Sequence, residues 1–187
     1  MTEPTLGFRT AVLAVALTAA QGLCASAGDS PAESLFVAEF LPSGFAVDGS
    51  VSYQSELQRA IDAAAEQRCP LVFPAATFRL DEGGLELRSH VTLELGRAVF
   101  ALAAECDADG TAFHGTDVSD VTIRGGEIVG RNDVWADGVN IRGVYVTGGS
   151  SKIHVEGTSM RDLSSNGVGV FGTPEAPITG ISLSGVR

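Results

Sequence analysis

The sequence predicts an all-β fold, a parallel β-helix carrying one N-terminal capping α-helix, on three observations. The first is a seven-residue phrase stated three times. It reads Asp109-Gly110-Thr111-Ala112-Phe113-His114-Gly115, then Asp137-Gly138-Val139-Asn140-Ile141-Arg142-Gly143, then Asn166-Gly167-Val168-Gly169-Val170-Phe171-Gly172, with starts 28 and 29 residues apart. The second is an interleaved phrase, Val121 to Gly125, Ile153 to Gly157 and Ile181 to Gly185, with an earlier copy at Val91 to Leu95. A fixed period of this length marks a repeat architecture. The third is a single helical pattern ahead of the repeats, where Leu57, Ala60, Ile61 and Ala64 share one face.

Within each phrase apolar residues alternate with polar or small ones over four or five positions and stop at Gly, the period of a half-buried strand. Like strands then stack in parallel from one repeat to the next, each burying its inward residues against its neighbours. The Asp-Gly or Asn-Gly openings fit corners, because Gly reaches positive φ freely and Asn or Asp bonds its own backbone.

Taken in order, residues 1–27 read as a secretory signal peptide. Arg9 precedes an apolar stretch, and Ala25-Ser26-Ala27 supplies small residues for cleavage before Gly28. The stretch is short for a membrane span, and no second one follows. The expected location is therefore secreted or periplasmic, with no membrane partner after cleavage. Residues 28–187 form the β-helix domain. Phe36 to Phe40 reads as a first strand. Ser55-Glu56-Leu57-Gln58 matches a capping box, so a helix is expected over 55–67, ended by Pro70. Its job is to cover the open first repeat. Leu71 to Phe73, Thr77 to Leu80 and Leu85 to Leu87 read as strands. The last strand, Ile181 to Leu183, has no capping element behind it, so the domain is expected to be the N-terminal part of a longer solenoid.

The whole chain has 12 Lys+Arg against 23 Asp+Glu, a net charge of −11. That argues against nucleic acid or an anionic membrane surface as a partner and disfavours a highly anionic polysaccharide unless a cation or a local basic strip intervenes. Cys69 and Cys106 survive signal cleavage and are read as either separate thiols or a disulfide. No phosphate loop is present, and His90, His114 and His154 lack metal-ligand spacing, so no metal site is assigned.

The strand, Gly-Ser turn, capped helix with Ala60-Ile61-Asp62-Ala63-Ala64, then Leu71-Val72-Phe73-Pro74 and Leu87-Arg88-Ser89-His90-Val91-Thr92-Leu93 together resemble the start of the pectate-lyase-like superfamily. That superfamily includes rhamnogalacturonase-, polygalacturonase- and epimerase-type β-helices. The resemblance departs at Val51 to Gln54, where an acidic pair is common, and at Cys69, where Gly is usual. It implies right-handed winding, in keeping with the crossover rule, and a polysaccharide partner such as a pectin-type polymer.

Hydrolysis of glycosidic bonds is the first expected activity. Polygalacturonase-like hydrolases use carboxylates from adjacent repeats, one protonating the leaving oxygen and one activating water. Asp133, Asp137 and Asp162 are the catalytic candidates on that resemblance. Asn132-Asp133 and Asp137-Gly138 are similar to the first element of the family motif, whereas Asn166 stands where an acidic pair is expected and the His-Gly and Arg-x-Lys elements are absent. Elimination is the second activity, with no cofactor for the hydrolase and Ca2+ for a lyase. A non-catalytic polysaccharide-binding or surface module is the alternative, as is an inactive fragment. For binding, outward positions are expected to form two files, Ala112, Asn140, Gly169 and His114, Arg142, Phe171. Trp135 would add a stacking platform, and Asn166 a polar partner.

Overall fold

A computed structural model describes residues 33–187, so the expected signal peptide lies outside the described residues. Thirteen strands and one α-helix follow in order. β1 (Leu35–Phe36) leads into a turn of 3-10 helix, then β2 (Asp48–Ser52), α1 (Gln54–Gln67), β3 (Pro70–Val72), β4 (Thr77–Leu80) and β5 (Leu85–Glu86). Beyond these lie β6 (Thr92–Leu102), β7 (Gly110–Thr116), β8 (Ser119–Val129), β9 (Ile141–Thr147), β10 (Ser151–Glu156), β11 (Ser159–Arg161), β12 (Val168–Phe171) and β13 (Thr179–Ser184). Nine strands form one sheet along β1-β3-β6-β8-β10-β13, with β2, β4 and β11 attached; β12-β9-β7-β5 forms the second. Every pairing is parallel. Among the described residues the fold is all-β with parallel strands and one α-helix, as the alternation predicts.

The second phrase stacks as its period requires. Leu93, Ile123, Val155 and Leu183 are successive partners, and so are Val121, Ile153 and Ile181. Leu93, Ile123 and Val155 are fully buried, while Leu183, on the last strand, is half exposed. Phe100 and Phe113 reach across from the two sheets and meet at 4.9 Å between ring centroids, an edge-to-face pair that joins the core.

The left-handed corner is carried by this phrase, not by the Asp-Gly openings. Gly96, Gly125, Gly157 and Gly185 all take positive φ, whereas of the three openings only Gly138 does. A Cβ on Gly125 would lie 2.9 Å from the Gly96 carbonyl oxygen, so the stacked corner admits no side chain there.

The helix buries Leu57, Ala60, Ile61 and Ala64 as its spacing predicts. Its start differs. Tyr53 is the N-cap and makes no side-chain capping bond, and Ser55 Oγ instead donates to Glu56. Arg68, in the left-handed conformation, ends it two residues before Pro70. Gln54 and Gln58, one turn apart, do the capping sideways. Gln54 accepts from the Asp81 amide and donates to the Gly84 carbonyl; Gln58 accepts from the Glu86 amide and donates to its carbonyl. The helix thus satisfies backbone groups along the β5 edge that would otherwise stand open. The expected strand from Phe36 to Phe40 is shortened to Phe36, because Val37 to Glu39 turn to bury Val37. Cys69 and Cys106 are both buried free thiols.

Candidate functional site

The second sheet is where the predicted register fails. Phe113 pairs with Val144, not Ile141, and Val144 pairs with Val168. Residues 131–140 form a loop, mostly exposed apart from the buried Trp135, that takes up part of the second Asp-Gly phrase, so β9 starts three residues later than the phrase comparison implies. The expected files Ala112, Asn140, Gly169 and His114, Arg142, Phe171 therefore do not exist. The outward file is Glu86, His114, Tyr145, Gly169, with Thr116, Thr147 and Phe171 beside it. Val170 is 38% exposed on β12, the end strand of this sheet.

Gly169 sits directly above Tyr145, and its missing side chain is what seats the Phe171 ring. A Cβ there would lie 2.8 Å from Phe171 Cε2 and 3.4 Å from Tyr145 Cδ2. The Tyr145 and Phe171 rings lie 5.4 Å apart, tilted by 43°. The Arg142 guanidinium lies over the Tyr145 ring, 5.2 Å from the ring centroid, a cation–π contact. Arg142, Tyr145 and Phe171 are thus a continuous strip with one cation and two aromatic faces.

This strip borders a cleft of about 450 Å3, lined by Glu82, Asp109, His114, Arg142 and Tyr145 among others. Asp109 accepts from the Asn140 backbone amide at 2.8 Å and from its side-chain amide at 3.3 Å. These bonds hold the Asp109 carboxyl below the usual carboxylate range. Asp109 and Asn140 are thus tied to each other just ahead of the adjacent strands β7 and β9 of the second sheet. Asn140 is spent on that tie and on the Gly138 carbonyl. Asn166 is exposed outside the cleft; its carbonyl accepts from the Gly143 amide.

Asp133 and Asp162 meet elsewhere, in a cleft of about 520 Å3 that also includes Arg131, Asn132 and Arg161. Arg131 grips Asp133 through two bonds of 3.0 and 3.2 Å, and Arg161 donates to Asp162 at 2.7 Å. The Arg131 bonds hold the Asp133 carboxyl below its ordinary range, the opposite of what a general acid needs. Asp137 is exposed and lines neither cleft. Trp135 is no platform. It is 8% exposed, and its indole N–H donates to the Ala103 carbonyl at 2.9 Å.

Sequence reasoning missed Tyr145, Glu82 and Asp109. Tyr145 had a signal, an aromatic on the polar phase of Val144-Tyr145-Val146-Thr147; Glu82, in a turn, had none. Among the described residues no group of three or more His, Cys, Asp or Glu is arranged to hold a metal ion. No described helix is long and apolar enough to cross a membrane.

No family model matches the sequence, and no curated protein does. Solved structures do match by fold. A candidate glycosyl hydrolase from Parabacteroides merdae superposes with a TM-score of 0.59 at 19% identity, over 82% of this chain and 81% of that one. PfbA, a surface adhesin of Streptococcus pneumoniae, superposes with a TM-score of 0.56 at 15% identity, over 82% of this chain and 48% of that one. Likeness at this identity concerns the fold.

Proposed function

We propose that the protein is an extracytoplasmic, carbohydrate-active right-handed parallel β-helix that holds a polysaccharide strand across the outward face of its second sheet. The carrying observation is the Arg142, Tyr145, Phe171 strip beside the cleft over β7 and β9. Sugar rings present apolar faces that lie on aromatic rings and hydroxyls that pair with planar donors and carboxylates, and the strip and cleft offer all three. The two fold relatives, a candidate glycosyl hydrolase and a surface adhesin, agree with a carbohydrate or surface role. The pectate-lyase-like resemblance supplies the winding sense and a polymeric substrate.

Bond cleavage by hydrolysis is the second reading, favoured by Asp133 and Asp162 sharing one cleft. The arginine partners of both carboxylates count against acid catalysis there, so binding is the better-supported role.

Affinity electrophoresis through a panel of plant, algal and bacterial polysaccharides tests the main reading. Tyr145→Ala and Phe171→Ala should each weaken retention about tenfold, the scale of one lost aromatic contact of ~1.4 kcal/mol. Retention unchanged in the double variant refutes the site. Reducing-sugar release lost in Asp133→Asn and Asp162→Asn, with retention intact, would establish hydrolysis in the other cleft.

A further inference from the structure

Arg142 differs from the other cations of the chain. Among the described residues Arg59, Arg79, Arg88, Arg124, Arg131 and Arg161 each have a carboxylate within salt-bridge distance. Arg68, Arg97 and Arg187 have none, but they are exposed to water. Arg142 is half-buried, has no such carboxylate, and lines the cleft. Its Nε is buried without an acceptor, and one terminal nitrogen makes only a long 3.5 Å contact to the Asn140 carbonyl. The Tyr145 ring lies against the guanidinium, 5.2 Å from its central carbon to the ring centroid. A planar fork with spare donors, held in place and partly desolvated, is complementary to an oxyanion.

The surroundings limit how many oxyanions the ligand can carry. Glu82 and Asp109 line the same cleft, and Glu86 is one register step from His114 on the same face. The chain as a whole carries a net charge of −11. A polymer charged at every sugar would set further anions within a Debye length, about 8 Å at physiological salt, of these carboxylates. Beyond Arg142 the strip turns aromatic, at Tyr145 and Phe171, which suits uncharged rings.

We infer that the ligand is a polysaccharide of mainly neutral sugars bearing isolated oxyanion substituents, a carboxylate or a sulfate ester, one of which docks on Arg142. This rests on the sugar site being the cleft over the second sheet.

The test is affinity electrophoresis of the full chain at low ionic strength. The probes are plain xylan, the same xylan with isolated glucuronate branches, dextran, lightly sulfated dextran, and polygalacturonate. A sparsely charged polymer should bind about tenfold more tightly than its neutral parent, the scale of one charge-assisted hydrogen bond. Whether the gain appears on the xylan or the dextran pair tells carboxylate from sulfate. Arg142→Gln should bring the charged polymer and its parent together, and Arg142→Lys, which keeps the charge and loses the fork, should keep only part of the gain. Equal affinity of wild type for each pair overturns the inference, as does polygalacturonate binding tightest. A preference that survives in full in Arg142→Lys, or in a folded Arg142→Gln, also overturns it. In all those cases the sugar site itself can still stand, whereas wild type retained by none of the five probes overturns both.

Discussion

Trp135 separates two roles that predict opposite outcomes. A sugar platform would be exposed, and its loss would cost affinity; a packed anchor would cost stability. The indole is 8% exposed, its N–H is bonded to Ala103 at 2.9 Å, and its ring passes 2.8 Å from where a Cβ on Gly130 would stand. Trp135→Phe keeps most of the apolar volume but loses the short bond to the Ala103 carbonyl, which retains a 3.4 Å bond from the Cys106 amide, so it should cost about 0.5–1.5 kcal/mol, the net worth of one hydrogen bond. Trp135→Ala adds a cavity and should cost about 3–5 kcal/mol in total. With a urea m-value of about 2 kcal/mol/M, the unfolding midpoint should fall by roughly 0.5 M for Phe and roughly 2 M for Ala. Circular dichroism reads that midpoint without using the indole. Because this is the only tryptophan in the chain, wild-type fluorescence reports on it alone, and its emission should be blue-shifted and resist iodide. The reasoning fails if polysaccharide quenches that emission, or if Trp135→Phe loses retention with an unchanged urea midpoint.

Other outcomes follow from the same geometry. Gly125→Ala forces a side chain into a left-handed corner and against the Gly96 carbonyl. It should cost at least about 1–2 kcal/mol, measured by urea denaturation. Ile123→Ala empties the middle of the Leu93, Ile123, Val155 pile and should cost about 2–5 kcal/mol, read the same way. Asp109 is held low in the folded chain by the Asn140 amides. Its contribution to stability is therefore present above the ordinary carboxylate pKa and lost as pH falls through the lower folded value. Asp109→Asn should flatten that part of the acid-side loss of stability, seen by comparing thermal midpoints from pH 5 downward.

Much of the fold was legible because the inward residues of one sheet recur at nearly constant spacing. Leu93, Ile123, Val155 and Leu183 fall 30, 32 and 28 residues apart in the sequence and are partners in space. Short alternating segments bounded by Gly leave little freedom there, and a one-residue slip would turn every side chain to the wrong face. The helix face of Leu57, Ala60, Ile61 and Ala64 was equally plain, since its period is local.

The second sheet was not legible in this way. Asp109, Asp137 and Asn166 begin similar phrases, yet the loop at 131–140 absorbs residues that the comparison assigned to a strand, so Tyr145 rather than Arg142 lies over His114. Sequence alone thus determined the parallel stacking, the strand phase and the helix that closes the first edge, because those depend on neighbours in the chain or on a fixed repeat. Only the tertiary structure decided the cleft, the half-buried unpaired Arg142 and the burial of Trp135. Each depends on how many residues a loop consumes between strands, and that number is set by packing rather than by pattern.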